Sequence, residues 1–94
     1  MRFAICNEIF QGWKIDDVFA HCARLGYDAV EVAPFTLAPH VTDIPAAERA
    51  RIRAAAARAG IAISGIHWVL VQTEGMHLTS PDASTRERTA RYFI

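Results

Sequence analysis

The sequence has no long apolar run. None of its apolar stretches approaches the roughly 18 consecutive residues that a membrane-spanning helix requires. The first apolar stretch follows Met1 and Arg2 and is interrupted at Asn7 and Glu8, so it is too short for the apolar region of a secretory signal. Because nothing in the sequence directs export, we expect a cytoplasmic location.

The chain also lacks an excess of charge of either sign. Ten basic residues balance ten acidic ones among 94 residues, which gives a formal net charge of zero. Without net positive charge there is no general electrostatic attraction to nucleic acid or to an anionic membrane. The segment 45–59 carries four arginines and only one acid, Glu48. We interpret it as a solvated helix face, and we expect neither nucleic acid nor membrane as a partner.

Cysteine is scarce. The chain contains only Cys6 and Cys22, which are far from the C-x-x-C spacing of a zinc or redox motif. Two separated cysteines in a chain without an export signal are typical of free thiols. A disulfide framework or a structural zinc framework is therefore not expected.

The sequence does contain a regular alternation of short apolar runs and helical patterns. Gly26 and Gly60 end the first two helical patterns, at the position where glycine adopts the left-handed conformation without a steric penalty. Ser80 or Asp82 can cap the start of a third helix. The predicted strands are 3–8, 29–33 and 61–66, and the predicted helices are 15–25, 45–59 and a helix from about 83. Such alternation predicts right-handed βα units on a parallel sheet, with strand order 1-2-3 and the helices on one side.

Three βα units are three-eighths of an eight-unit barrel, which needs about 250 residues. The predicted fold class is therefore α/β, as the N-terminal three βα units of a (β/α)8 TIM barrel. The last helical pattern reaches Ile94 without a C-cap signal, so residues 1–94 are interpreted as one partial barrel, truncated in or after the third helix. We expect Ile61 and Ile63 to line the inward face. Together with two unpaired strand edges, that face predicts self-association or poor solubility.

Polar residues occur where the predicted strands end, which is where parallel α/β folds collect their chemistry. By two-residue alternation, Glu8 shares a face with Cys6, and Glu31 points away from the neighbouring valines. The third apolar run delivers His67 and Trp68 to the end of its strand. Two interpretations stay open for each polar group: Glu31 is a site residue or a structural ion pair, and His67 is a site residue or satisfies its hydrogen bonds within the loop.

The chain also resembles a known family. The residues that carry the likeness are Leu-Gly-Tyr-Asp-Ala-Val-Glu-Val-Ala at 25–33, then a helix, Gly60, a strand reaching His67, and Leu-Thr-Ser-Pro-Asp at 78–82 with Arg86 four residues later. Their order and spacing resemble the N-terminal part of sugar phosphate isomerases and epimerases. These enzymes belong to the xylose-isomerase-like barrel superfamily, which also contains the endonuclease-four-type apurinic endonucleases. The likeness covers essentially all of the chain.

This resemblance implies an active site at the C-terminal ends of the strands, where a divalent metal (Mn, Mg, Co or Zn) assists proton transfer next to the carbonyl of a sugar or sugar phosphate. In the epimerase-like members two glutamates, an aspartate and a histidine on later strands hold the metal, and none of these positions falls within residues 1–94. What carries over is a substrate-binding wall made of Cys6, Glu8, Glu31, Gly65 and His67. No catalytic residue, no tightly bound metal and no activity are expected of this chain alone.

The endonuclease branch gives a second interpretation. There the histidine that matches His67 is a metal ligand within a His-x-x-Tyr-Leu-type segment. Here Trp68, Val69, Leu70 and Val71 follow His67, so the tyrosine is missing. Apurinic-site phosphodiester hydrolysis is therefore the alternative function, and a non-catalytic fragment is a third.

Overall fold

Three parallel strands form one sheet in the order β1-β2-β3, and the computed structural model describes all 94 residues. The strands are β1 (Ala4–Cys6), β2 (Ala29–Val32) and β3 (Ala62–Ile66), and the helices are α1 (Ile15–Arg24), α2 (Ala46–Ala59) and α3 (Ala83–Tyr92). Short 3-10 helices occupy Asn7–Ile9, Pro34–Thr36 and Val41–Asp43. The predicted fold class, the N-terminal three βα units of a TIM barrel, is confirmed. No helix combines the length and the apolar character that crossing a membrane requires.

The hydrophobic core lies between the sheet and the first two helices. Val30 and Val32 of β2 are almost completely buried there. The helices contribute Ile15, Val18, Phe19 and Cys22 from α1, and Ile52, Ala55 and Ala56 from α2. Small alanine side chains let α2 approach the sheet closely, and the apolar stripe of α1 meets it at three- and four-residue spacing. Since successive strand residues point to opposite faces, burial of the two valines turns Glu31 away from the helices.

A β-bulge in β3 decides which of its side chains share the face of Glu31. The β2–β3 register pairs Val30 with Ile63 but Glu31 with Gly65, so Ser64 is an extra residue. An inserted residue reverses the alternation beyond it. Ile63 therefore lies on the helix side, whereas His67, four residues later, returns to the side of Glu31.

The same bulge corrects one expectation. Ile61 does not line the inward face, because it is buried in the helix-side core with 5% of its surface exposed. Ile63 is partly buried and packs against that core. Counting back from His67 in steps of two puts Ile63 and Ile61 on the same face as His67. That count is wrong because the sequence does not reveal that Ser64 is an extra residue between Ile63 and Gly65.

The first strand is shorter than predicted. It ends at Cys6, and the chain then turns into the 3-10 helix Asn7–Ile9. The prediction that Glu8 follows Ala4 and Cys6 on one strand face is therefore wrong. Two-residue alternation holds only while the backbone stays extended.

Asp82 caps α3. Its carboxylate accepts hydrogen bonds from Ser84 Oγ at 2.6 Å and from the backbone N–H of Thr85 at 2.7 Å. These bonds, led by the one from Ser84, lower the pKa of Asp82 to about 2. Of the two candidate caps, Ser80 and Asp82, the structure uses Asp82, which caps the helix in its ionised form.

We predict that this cap makes the stability of α3 depend on pH under acidic conditions. An aspartate in an unfolded chain has a pKa of about 3.9. Because the folded pKa is depressed, the cap's contribution is complete above the unfolded pKa and is lost as the pH falls through about 2. NMR titration of the Asp82 carboxyl and the Thr85 amide should show a midpoint near the folded value.

Two variants distinguish the hydrogen-bonding role of the Asp82 side chain from the effect of its negative charge. Asp82→Asn keeps a side-chain acceptor without the titration, so its helix should stay formed through the same pH range. Asp82→Ala should fray the first turn at every pH. A midpoint near the unfolded value in the parent chain would contradict the cap.

We also predict that the 94-residue chain self-associates. The sheet has an unpaired edge at β1 and another at β3, and such edges pair readily with other chains. Next to the β3 edge, Ile66 is 49% exposed and lines an apolar groove of about 190 Å³ between the sheet and α2. Light scattering should show a mass above the monomer. Ile66→Lys should lower that mass and Ile9→Lys, at another exposed isoleucine, should not; a monomer at all concentrations would contradict the prediction.

Candidate functional site

Glu31 and His67 meet at the C-terminal edge of the sheet, on the face away from the helices. His67 Nδ1 lies 3.1 Å from Glu31 Oε2, and the two side chains are 28% and 40% exposed. The backbone N–H of His67 donates to the Val32 carbonyl at 2.8 Å, which fixes the histidine just beyond β3. The structure thus brings together two residues that the sequence analysis named separately.

Cys6 completes a group of three. It pairs with Glu31 in the β1–β2 register, and one ligand atom each from Cys6, Glu31 and His67 lies within 4.8 Å of the others. Burial is the main cause that raises the pKa of the Cys6 thiol; the Glu8 and Glu31 carboxylates raise it further, while the backbone N–H of Glu8 opposes them. The sulfur therefore lies among carboxylates at the strand ends.

The other two predicted wall residues hold different positions. Glu8 is outside the group of three and lies on the 3-10 turn, where it lines a neighbouring cleft. Gly65 pairs with Glu31, and no atom lies within 4 Å of the point where a Cβ would stand. Its missing side chain therefore leaves the sheet face beside Glu31 open.

An open cleft of about 750 Å³ lies nearby: none of the three residues lines it, but Asn7, next to Cys6, and Trp68, next to His67, do. Its walls combine the aromatic residues Phe10, Trp13, Phe35 and Trp68 with the polar residues Asn7, Glu8, Gln11, Thr36 and Gln72. The Trp68 ring stacks on the His67 ring, with centroids 5.1 Å apart and planes inclined by 19°. Trp68 and Gln72 both have left-handed backbone, with φ of 52° and 61°. Such conformations are costly for residues other than glycine and cluster at functional sites.

Asn7 is a positioning residue that the sequence analysis did not single out. It is buried, with 4% of its surface exposed. Its Oδ1 accepts from the backbone N–H of Ala33 at 2.7 Å, and its Nδ2 donates to Thr36 Oγ1 at 2.8 Å. The amide thus ties the end of β1 to the loop after β2. An asparagine directly after the short apolar run at 3–6 is the signal that could have found it.

Fold and site together define a class. A parallel βα sheet with its titratable side chains gathered at the C-terminal strand ends, on the face away from the helices, is the arrangement of α/β-barrel proteins.

The comparison with protein families gives the particular family. The family described as xylose isomerase-like TIM barrel matches residues 19–94, so the chain belongs to that family. The match includes Glu31, Gly65 and His67 and begins after Cys6 and Glu8. No curated protein and no solved structure matches the chain. The superfamily that the resemblance indicated is confirmed.

We predict that Asn7→Ala destabilises the strand-end region. The change leaves the backbone N–H of Ala33, a fully buried residue, without its acceptor. An orphaned buried donor costs about 1 to 3 kcal/mol. Urea unfolding should show that loss of unfolding free energy. Gln11→Ala, on an exposed residue of the same loop, should change it by less than about 0.5 kcal/mol, and an equal loss in both variants would contradict the role of Asn7.

Proposed function

We propose that this chain supplies part of the substrate-binding wall of a metal-dependent sugar or sugar phosphate isomerase or epimerase. The observation that carries the proposal is the meeting of Glu31 with His67 at the strand ends, beside an aromatic and polar cleft. The family match supports a barrel of this kind. The substrate and the reaction are inferred from the resemblance and from the chemistry of the wall.

The side chains of the wall suit a sugar. A carboxylate accepts hydrogen bonds from hydroxyl groups, and a neutral imidazole offers one donor and one acceptor. Glu31 and His67 are both partly exposed, so a ligand can reach them. Trp13 and Trp68 are 50% and 57% exposed, and their ring faces can pack on the apolar C–H face of a sugar. The nearby cleft combines four aromatic with five polar residues, a mixture that suits a ligand with both C–H faces and hydroxyl groups.

In such enzymes a divalent metal polarises the sugar carbonyl and thereby makes the adjacent C–H bond acidic enough for proton transfer. The ligands that the resemblance implies are two glutamates, an aspartate and a histidine. Cys6, Glu31 and His67 offer a sulfur, one carboxylate and one imidazole, which is a different donor set. We therefore give these residues no step at that metal. Glu31 and His67 hold and orient substrate hydroxyl groups.

One observation favours the second candidate, apurinic-site phosphodiester hydrolysis. His67 lies in a group that could hold a metal ion, as a histidine of the endonuclease branch does. The zero net charge argues against it, because most of the affinity for nucleic acid comes from neutralising phosphates. A sugar remains the better substrate for the wall.

The experiment is ligand-detected NMR of the 94-residue chain with a panel of ketoses, sugar phosphates and an apurinic duplex, in the presence of a chelator. We expect binding of a sugar with a dissociation constant of about 1 mM or weaker, because only part of a barrel site is present. Glu31→Gln and His67→Gln should each weaken it about fivefold or more. Glu87→Gln on α3 and His40→Gln are the matched controls, and both should bind as the parent chain does.

The outcomes separate the candidates. Turnover of a ketose by the chain alone, assayed separately with added Mn²⁺ and no chelator, would contradict the placement of the catalytic groups outside residues 1–94. Binding of no sugar, or equal binding by all four variants, would overturn the proposed wall. Preferential binding of the apurinic duplex would favour the endonuclease.

A further inference from the structure

We propose that Cys6, Glu31 and His67 form a site for a thiophilic divalent cation of the Zn²⁺ type, with one ligand from the end of each strand and a fourth position open to solvent. The proposal stands on these residues alone and does not depend on the proposed function. It differs from the four-ligand metal site that the resemblance implies on later strands, and of its three ligands only His67 matches a metal ligand that the resemblance implies, the histidine of the endonuclease branch.

The distances are close to those that a cation needs. A tetrahedral Zn²⁺ with bonds of 2.0 to 2.3 Å keeps its ligand atoms roughly 3.3 to 3.8 Å apart. His67 Nδ1 and Glu31 Oε2 are already 3.1 Å apart, and all three ligand atoms lie within 4.8 Å of one another. Side-chain rotations that move an atom by about 1 Å are therefore enough to complete the geometry.

The three ligands stand on a rigid support. Cys6 and Glu31 are partners in the β1–β2 register, so their side chains leave neighbouring strands on the same face. The bulge at Ser64 returns His67 to that face. The Trp68 ring stacks on the imidazole, and the hydrogen bond from the backbone N–H of His67 to Val32 fixes the main chain at that point. Ligands that are held before the metal arrives lose little freedom on binding it.

The donor set selects the metal. A thiolate, an imidazole and one carboxylate are ligands of Zn²⁺ and similar ions, whereas Mg²⁺ and Ca²⁺ prefer oxygen ligands alone. Three protein ligands with an open position are typical of zinc sites that bind water or a substrate. The partial exposure of Glu31 and His67 leaves room for that fourth ligand.

The surroundings also favour a cation. The charged groups that act on the Cys6 sulfur, Glu8 and Glu31, are both carboxylates. A chain with zero net charge therefore has a locally negative region at these strand ends.

Co²⁺ is the probe for the test, because its bond to a thiolate gives a charge-transfer band in the near ultraviolet. We expect one Co²⁺ per chain, displaced by Zn²⁺. Cys6→Ser should abolish the band, and Glu31→Gln and His67→Gln should each weaken Co²⁺ binding about tenfold or more. Cys22→Ala is the matched control: it removes the other thiol, which is fully buried in the helix core, and should retain the band.

A second measurement guards against misfolded variants. Zn²⁺ should raise the melting temperature of the parent chain and of Cys22→Ala, but not that of Cys6→Ser, with circular dichroism showing the same helix content in all three. No Co²⁺ binding by the folded parent chain, or a band that survives in Cys6→Ser, would overturn the proposal. The metal titration contains no sugar and the sugar titration contains a chelator, so either proposal can fail without the other.

Discussion

Burial of Val30 and Val32 is the constraint on which the rest of the structure depends. Both valines pack against α1 and α2 and are almost fully removed from water. Burying a valine side chain is worth about 1.5 to 3 kcal/mol, and a one-residue slip of β2 would bury Glu31 instead. The hydrophobic core therefore fixes the direction of the carboxylate, and the site inherits its geometry from the packing on the other side of the sheet.

The bulge in β3 gives the second half of that geometry. With unbroken alternation, either Ile63 would face the core and His67 would point to the helices, or the reverse would hold. The extra residue at Ser64 allows Ile63 to pack against the core and His67 to reach Glu31 at 3.1 Å. Bulges next to functional sites often re-aim a side chain in this way. The pairing of Glu31 with His67 is thus a consequence of local irregularity in an otherwise regular sheet.

The sequence was sufficient for the fold class because its signals were repeated. Gly26 and Gly60 each ended a helix before a strand, and the spacing of the apolar residues identified α1 and α2. The predicted direction of the Glu31 side chain, away from the helices, was also correct, because the apolar residues on either side of it, Val30 and Val32, indicate which face of β2 is buried. The predictions failed where the backbone left its regular pattern, at Glu8 on a 3-10 turn and at Ile61 and Ile63 before the bulge. The alternation of side chains along a strand does not show at which residue the strand ends or a bulge interrupts it.

The distribution of charged residues explains how a chain with zero net charge has a negatively charged region at its strand ends. On the helix side, Arg51 pairs with Asp16 at 2.8 Å and with Glu48 at 2.9 Å, so part of the arginine excess of α2 is neutralised by nearby acids. The predicted solvated face of α2 fits this pairing.

At the strand ends the carboxylates of Glu8 and Glu31 both act on Cys6, and His67 is the partner of Glu31. Such a wall suits hydroxyl groups and cations, whereas repulsion between like charges disfavours a phosphate group placed directly against it. Under the proposed function, the sugar end of a sugar phosphate would therefore lie against Glu31 and His67, with its phosphate directed away from these carboxylates.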